Sequence, residues 1–130
     1  MVGYLKKWRS YIVSDYEFEL PWPPSVNGYW RAFRNRQIIS KRGREYRAEA
    51  VRVMQSYGLN DEMLSGRLQV SLTLYPPTKR KYDIDNFCKA TFDALSHCNF
   101  WVDDEQIDKL TISKGEKSPP GKIVVRVNKI

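Results

Sequence analysis

Histidine and cysteine are scarce in this chain, and no long apolar run occurs. One histidine, His97, and two cysteines, Cys88 and Cys98, offer no tetrahedral donor set for zinc. If both cysteines lie on one helix, ten residues separate them by roughly 15 Å along its axis, beyond disulfide reach. They are expected as buried thiols of a reducing cytoplasm. No stretch approaches the ~18 consecutive apolar residues of a membrane span. Residues 1–14 carry Lys6, Lys7 and Arg9 without the apolar segment of a signal peptide. Internal repeats and low-complexity segments are also missing, and 130 residues suit one domain rather than two. A soluble, intracellular protein is the expectation.

What the chain has in excess is positive charge. Lys and Arg number 22 against 15 Asp and Glu, giving a formal charge of +7 and a pI near 9.5. Such a balance points to an anionic partner and says nothing about fold. Residues 31–52 hold eight of these cations (Arg31, Arg34, Arg36, Lys41, Arg42, Arg44, Arg47, Arg52) against Glu45 and Glu49, a local net of +6. Nucleic acid is the partner such a block fits; a solvated helix face is the plainer reading of a charge run alone.

Hydropathy patterning gives the element order. Residues 16–20 alternate as a half-buried strand does, and Pro21-Trp22-Pro23-Pro24 stops them. A loop follows, with a short strand at Ile38-Ile39. Ser40 is placed to cap a helix running to Tyr57, with Gly58 as its stop; Tyr46, Ala50, Val53, Met54 and Tyr57 form its apolar stripe. Residues 66–75 put Leu68, Val70, Leu72 and Leu74 on one face of a strand. A second helix is expected from Asp85 or Asn86 to His97, burying Ile84, Cys88, Thr91, Phe92 and Leu95. Phe100-Trp101-Val102 returns the chain to the core, and residues 107–113 and 122–128 read as closing strands around a turn at 115–121. The class is therefore α+β: one small domain with a mixed sheet and two main helices packed on it. The second helix is placed to link the 66–75 and 107–113 strands as a crossover, right-handed if they run parallel.

The chemistry-bearing residues are acids. In extended backbone Asp83 and Asp85 point the same way, and Lys89 lies one helical turn beyond Asp85. Asp103 and Asp104 follow a helix that reverses the chain, so one of them is able to return to the first pair. Carboxylates crowd only at a cost to their ionisation, and three hard oxygen donors with open positions suit Mg²⁺. Such an ion activates water and polarises a phosphoryl oxygen, while Lys89 stabilises charge at the phosphate or orients the attacking water. The bland alternative is that Asp83-Ile84-Asp85-Asn86 only caps a helix.

Asp83-Ile84-Asp85-Asn86-Phe87-Cys88-Lys89-Ala90, Phe92-Asp93-Ala94-Leu95 and Phe100-Trp101-Val102-Asp103-Asp104-Glu105-Gln106 together resemble the RusA family of Holliday junction resolvases. Leu20-Pro21-Trp22-Pro23-Pro24-Ser25 and Asn27 match it as well. The resemblance spans about residues 16–128 and leaves residues 1–15, with Tyr4, Trp8 and Tyr11, as an N-terminal extension read as a short helix or an arm.

It implies a homodimeric, Mg²⁺-dependent endonuclease of bacteria and their phages or prophages, acting in the cytoplasm on four-way DNA junctions with one or two ions per site. Position by position it implies Asp83, Asp85 and Asp104 as catalytic metal ligands and Lys89 as the essential lysine, with Asp103 and Asn86 supporting them. Lys79-Arg80-Lys81 keeps the family's basic charge before the first acid without its arginine-rich spelling.

DNA contacts are then expected from Arg31, Arg34, Arg36, Lys41, Arg42, Arg44, Lys79, Arg80 and Lys81. Phe33, among them, is expected in the core, the alternative being that it presses on unstacked bases. Trp101 reads as core and His97 as a surface or capping residue. A dimer interface needs exposed apolar surface, for which Trp22, Tyr29 and Trp30 are candidates. Two other readings keep parts of this: a nuclease for other branched DNA, and a catalytically inactive prophage-derived DNA-binding module.

Overall fold

Proline and glycine punctuation divides the chain into six strands and three helices in the computed structural model, which describes residues 14–130. Residues 1–13, for which an arm or short helix is expected, lie outside the described residues. The elements are β1 (Tyr16–Pro21), α1 (Val26–Tyr29), β2 (Trp30–Phe33), β3 (Arg36–Ile39), α2 (Lys41–Tyr57), β4 (Leu68–Tyr75), α3 (Cys88–His97), β5 (Ile107–Lys114) and β6 (Lys122–Lys129), with a 3-10 turn at Asp104–Gln106 opening β5.

Four strands make one sheet in the order β1-β6-β4-β5. β6 runs antiparallel to both β1 and β4, and β5 runs parallel to β4, so the sheet is mixed as expected. The parallel pair requires a crossover, which α3 supplies. Leu68, Val70, Leu72 and Leu74 are fully buried on one face of β4, and the residues between them are half-buried on the other. Against the buried face pack Tyr46, Ala50 and Met54 of α2 with Ala94 and Leu95 of α3, in one core that also takes Phe100 and Trp101. β5 is an edge strand, largely exposed and bearing Lys109 and Lys114, the chemistry that keeps edges from pairing with other chains.

α2 begins and ends as its sequence dictates. The Ser40 hydroxyl accepts from the Gly43 amide at 3.0 Å and donates to the Gly28 carbonyl at 2.6 Å. Gly58 closes the helix at φ 71°. Gly43 has no room for a side chain, because a Cβ there would meet the Tyr29 carbonyl oxygen at 2.7 Å. Tyr57 departs from the expected stripe: its ring is 45% exposed and its hydroxyl accepts from the Glu19 amide.

Five further expectations are corrected. α3 starts at Cys88 rather than at Asp85 or Asn86, because the Asn86 amide bonds the Asp83 carbonyl at 3.1 Å and closes a separate turn. Ile84 therefore lies on that turn, 39% exposed, and not in the buried stripe. Residues 30–39 form a β2–β3 hairpin outside the main sheet, where only a short strand at 38–39 is expected. Residues 31–37 are all exposed, so no buried face imposes an alternating pattern on the sequence. Its two-residue turn holds Arg34 at φ 50° and Asn35 at φ 64°. Left-handed backbone at a residue with a Cβ costs about 1–2 kcal/mol. Phe33 is thereby 40% exposed rather than in the core, and Tyr29, a candidate for an exposed interface, is fully buried.

Gln106 is a buried polar residue whose side chain is completely matched. Its Oε1 accepts from the Val102 and Asp103 amides, each at 2.9 Å, and its Nε2 donates to the Leu64 and Gly66 carbonyls, each at 2.9 Å. Replacing it by leucine leaves those four backbone groups without this partner. At about 1–3 kcal/mol for an unsatisfied buried group, Gln106→Leu is expected to lower stability by about 3 kcal/mol. Gln106→Glu should also destabilise, since a carboxylate cannot donate. Urea unfolding measures both, and a wild-type midpoint for either would refute the assignment.

Candidate active site

The first pair of acids is displayed by its aromatic neighbours. Trp22 packs on Phe87 (ring centroids 4.6 Å apart) and on Tyr82 (5.7 Å), anchoring both ends of the segment that carries them. Asp83, Ile84 and Asp85, between those anchors, are exposed. Asn86 is half-buried, and its carbonyl accepts from the Val26 amide at 2.8 Å, tying the turn to α1. α3 takes Phe87 as its N-cap with no side-chain cap bond. Neither Asp85 nor Asn86 is thus the cap residue of α3. Lys89 follows as the second residue of α3 and is exposed.

The second acidic element is held by two clamps. Gln106 fixes the 3-10 turn from inside. From outside, Arg67 Nη2 reaches the Glu105 carbonyl at 2.6 Å and Asp108 Oδ1 at 2.6 Å. Asp103 caps the turn, its Oδ1 accepting from the Glu105 amide at 3.2 Å. That backbone bond, then the hydrogen bond with Asp104, holds the Asp103 carboxyl below its ordinary range. Asp104 behaves oppositely. Burial, then its hydrogen bond with Asp103, pushes its carboxyl up, while Lys89 opposes the rise. Lys89 lowers both carboxyls electrostatically, and α3 lies beside the 3-10 turn that carries Asp104. Asp103 is engaged with the backbone, and Asp104 is the member of the pair free to take another partner.

Behind Asp104 lies a half-buried network. Arg47 pairs with Asp93 at 2.7 Å, and the buried Tyr29 hydroxyl donates to the same carboxylate. Burial, reinforced by Asp93, raises the Tyr29 hydroxyl and keeps it a donor. Arg47, counted in the basic block by sequence, is therefore turned inward.

The candidate metal donors are carboxylate oxygens, which suit a hard cation such as Mg²⁺. Among the described residues, however, no three His, Cys, Asp or Glu side chains are gathered to ligate one ion. Asp103 and Asp104 stand together within electrostatic reach of Lys89, whereas Asp83 and Asp85, on the exposed turn, form no three-acid site with Asp104. Carboxylates crowd together only at a cost to their ionisation.

The expected DNA contacts fall on three surfaces. Arg31, Arg34 and Arg36 stand on the β2–β3 hairpin, and Lys41, Arg42 and Arg44 are exposed on the first turn of α2. That turn contains no acid. Cations are unfavourable beside the positive end of a helix dipole, whereas an incoming anion is favoured there. Arg80 and Lys81 line a cleft of about 760 Å³ that also exposes Asp83 and Asn86, and Lys79 lines the adjoining hollow. Lys114 from β5 completes both walls, its ammonium donating to the Tyr82 carbonyl at 2.7 Å. Sequence reasoning missed it, because a lysine on an edge strand reads as solubility and only the sheet brings it to the acid turn.

Comparison with known proteins supplies the lineage. The family described as Endodeoxyribonuclease RusA matches residues 21–128. The chain is 33% identical over 118 residues to the crossover junction endodeoxyribonuclease rusA of Enterobacteria phage HK97, covering 91% of this chain and 98% of that protein. A protein of the same name from Enterobacteria phage 82 is 33% identical over the same shares. That of Escherichia coli (strain K12) is 32% identical, again over 91% of this chain and 98% of its own length.

A raised Asp104 means that folding takes up protons there. Its contribution to stability is present below the ordinary carboxylate pKa and is lost as pH rises through the folded value. Asp104→Asn removes that half-buried charge, so in chelator it should melt above wild type near neutral pH, the gap closing as the solution is acidified. Thermal melts across pH check this; an equal gap at every pH would contradict it.

Proposed function

This chain belongs to the RusA family of endodeoxyribonucleases, and from that membership we propose that it is a Mg²⁺-dependent, structure-specific endonuclease that resolves four-way (Holliday) DNA junctions by paired symmetric nicks. The observation that carries the reading is the family match over residues 21–128, which takes in the Asp83–Asp85 turn, Lys89 and the Asp103–Asp104 pair. Asp83, Asp85 and Asp104 are the residues that would hold the ion, one or two per site. Once bound, Mg²⁺ supplies Lewis-acid polarisation of the scissile phosphate and a more acidic water.

The chain's own groups have separable tasks. Lys89, on a rigid helix, offsets negative charge at the phosphate. Asp103 holds the turn that presents Asp104, and Asn86 ties the other acidic turn to α1. Arg80, Lys81 and Lys114 grip the backbone on one side of Asp83, while the first turn of α2 and the hairpin take up more distant phosphates. These contacts carry no sequence information and set register. Two like-oriented strands must be cut, so a homodimer with twofold symmetry matches the substrate's own symmetry. Residues 1–15 are an extension to the nuclease domain at 16–130, and the protein works in the bacterial cytoplasm, encoded by a phage or prophage.

Asp85→Asn or Asp104→Asn should abolish nicking of a labelled four-way junction in Mg²⁺ while junction binding in chelator persists. Lys89→Ala should slow nicking by about 10²–10³-fold at unchanged stability. Undiminished cutting by any of the three would show the site to be misassigned. Equal cutting of Y-shaped DNA would widen the substrate to branched DNA in general, and no cutting of any DNA would favour a binding module. Separately, Lys41→Glu should stabilise the fold by about 0.3–1 kcal/mol yet weaken DNA binding and flatten its salt dependence by about one phosphate's worth. Salt-titrated affinities test that trade.

A further inference from the structure

Phe33 is held out in solvent at the tip of the β2–β3 hairpin, 40% exposed, between two cations. The Arg31 and Arg34 guanidinium carbons lie 5.5 and 5.1 Å from its ring centroid. Among the described residues the hairpin pairs with no other strand, and every residue from 31 to 37 is exposed. An apolar ring so placed adds nothing to the core, and its turn sustains two left-handed residues, Arg34 and Asn35, without a glycine. The two-residue turn itself calls for left-handed backbone at both positions, so it is the exposed ring that lacks a core partner among the described residues.

The charge around the ring selects the occupant. Residues 31–44 contain six cations, Arg31, Arg34, Arg36, Lys41, Arg42 and Arg44, and no acid. A second copy would bring the same positive face, so a polyanion with an apolar interior is the better match. DNA offers that interior only where base pairs separate. A two-stranded ribbon fits a groove, and an apolar side chain wedged between base steps partly unstacks them. The opening cost is least where the stack is already broken, as at a branch point.

We propose that Phe33 is a wedge that inserts between base pairs at the branch point of junction DNA, with Arg31 and Arg34 gripping the flanking phosphates. This rests on the branched-DNA reading above and adds to it the residue that tells a branch from plain duplex. Wedging needs no metal, so the test is run in chelator with 2-aminopurine at the branch of a four-way junction, a base that brightens when it loses its stacked neighbour.

Wild-type protein should brighten the junction and leave a linear duplex carrying the same base unchanged. Phe33→Ala should abolish the rise and weaken junction binding by about tenfold, with duplex affinity unaltered. Phe33→Trp, which keeps an aromatic face, should retain the rise and confirm that the tip tolerates substitution. Equal brightening by Phe33→Ala, or none by a wild-type protein that cuts the junction, overturns the wedge alone. A wild-type protein that neither binds nor cuts any branched DNA overturns the functional reading with it. Loss of self-association in Phe33→Ala with the rise intact would make the ring a contact between copies, which also refutes the proposal.

Discussion

Gln106 is the constraint on which the site depends. Four hydrogen bonds from one buried amide join the turn at 102–104 to the segment at 64–66. Because Leu68 begins β4 and Ile107 begins β5, the same side chain sets the start of the parallel pair. A buried network of this type specifies one arrangement only when every member is matched, and here each donor and acceptor of the amide has a partner. Arg67 repeats the restraint from the solvent side, where its ion pairs are worth less. Asp104 is consequently delivered to Lys89 by backbone held on both faces rather than by a free loop.

The acid turn is built on the opposite principle. Its ends are nailed by aromatic packing on Trp22, while its centre is left without helix, cap or ion pair among the described residues. One acid on a clamped turn beside α3 is thus combined with two acids on an exposed turn. That combination suits a centre which must admit a cation and a bulky polyanion together, since a fully closed carboxylate cage would leave no open positions for substrate.

Elsewhere the chain breaks local rules in one region. The first turn of α2 collects cations at the wrong end of the dipole, and the hairpin tip places arginine and asparagine where glycine is easiest. Sequences agree with their own fold at most positions, and departures concentrate where function is served. Arg47 is the instructive exception within that block. It is bound to Asp93 and Tyr29 inside the helix pair, so net charge by itself overstates the basic surface.

Periodicity and punctuation were enough for the frame. The alternating leucines of β4, Ser40 and Gly58 at the ends of α2, and the prolines after β1 act within a few residues of themselves, so each is readable locally. The acid and lysine motifs were legible for the same reason, their spacing being a property of the chain. Other features were settled only by contacts between distant segments. The hairpin hid because residues 31–37 are exposed and carry no alternating pattern, and hydrophobicity alone does not say which side of a ribbon Phe33 turns to solvent. α3 began late because the Asn86 amide closes a separate turn on the Asp83 carbonyl, and Trp22, some sixty residues earlier, packs on Phe87 at the cap. Lys114 joined the acid cleft because β5 pairs beside β4, and Asp103 and Asp104 parted in role because one met a backbone amide and the other met burial. Residue types and their order along the chain determined which chemistry was available; the folded contacts decided which copy of each group was free to perform it.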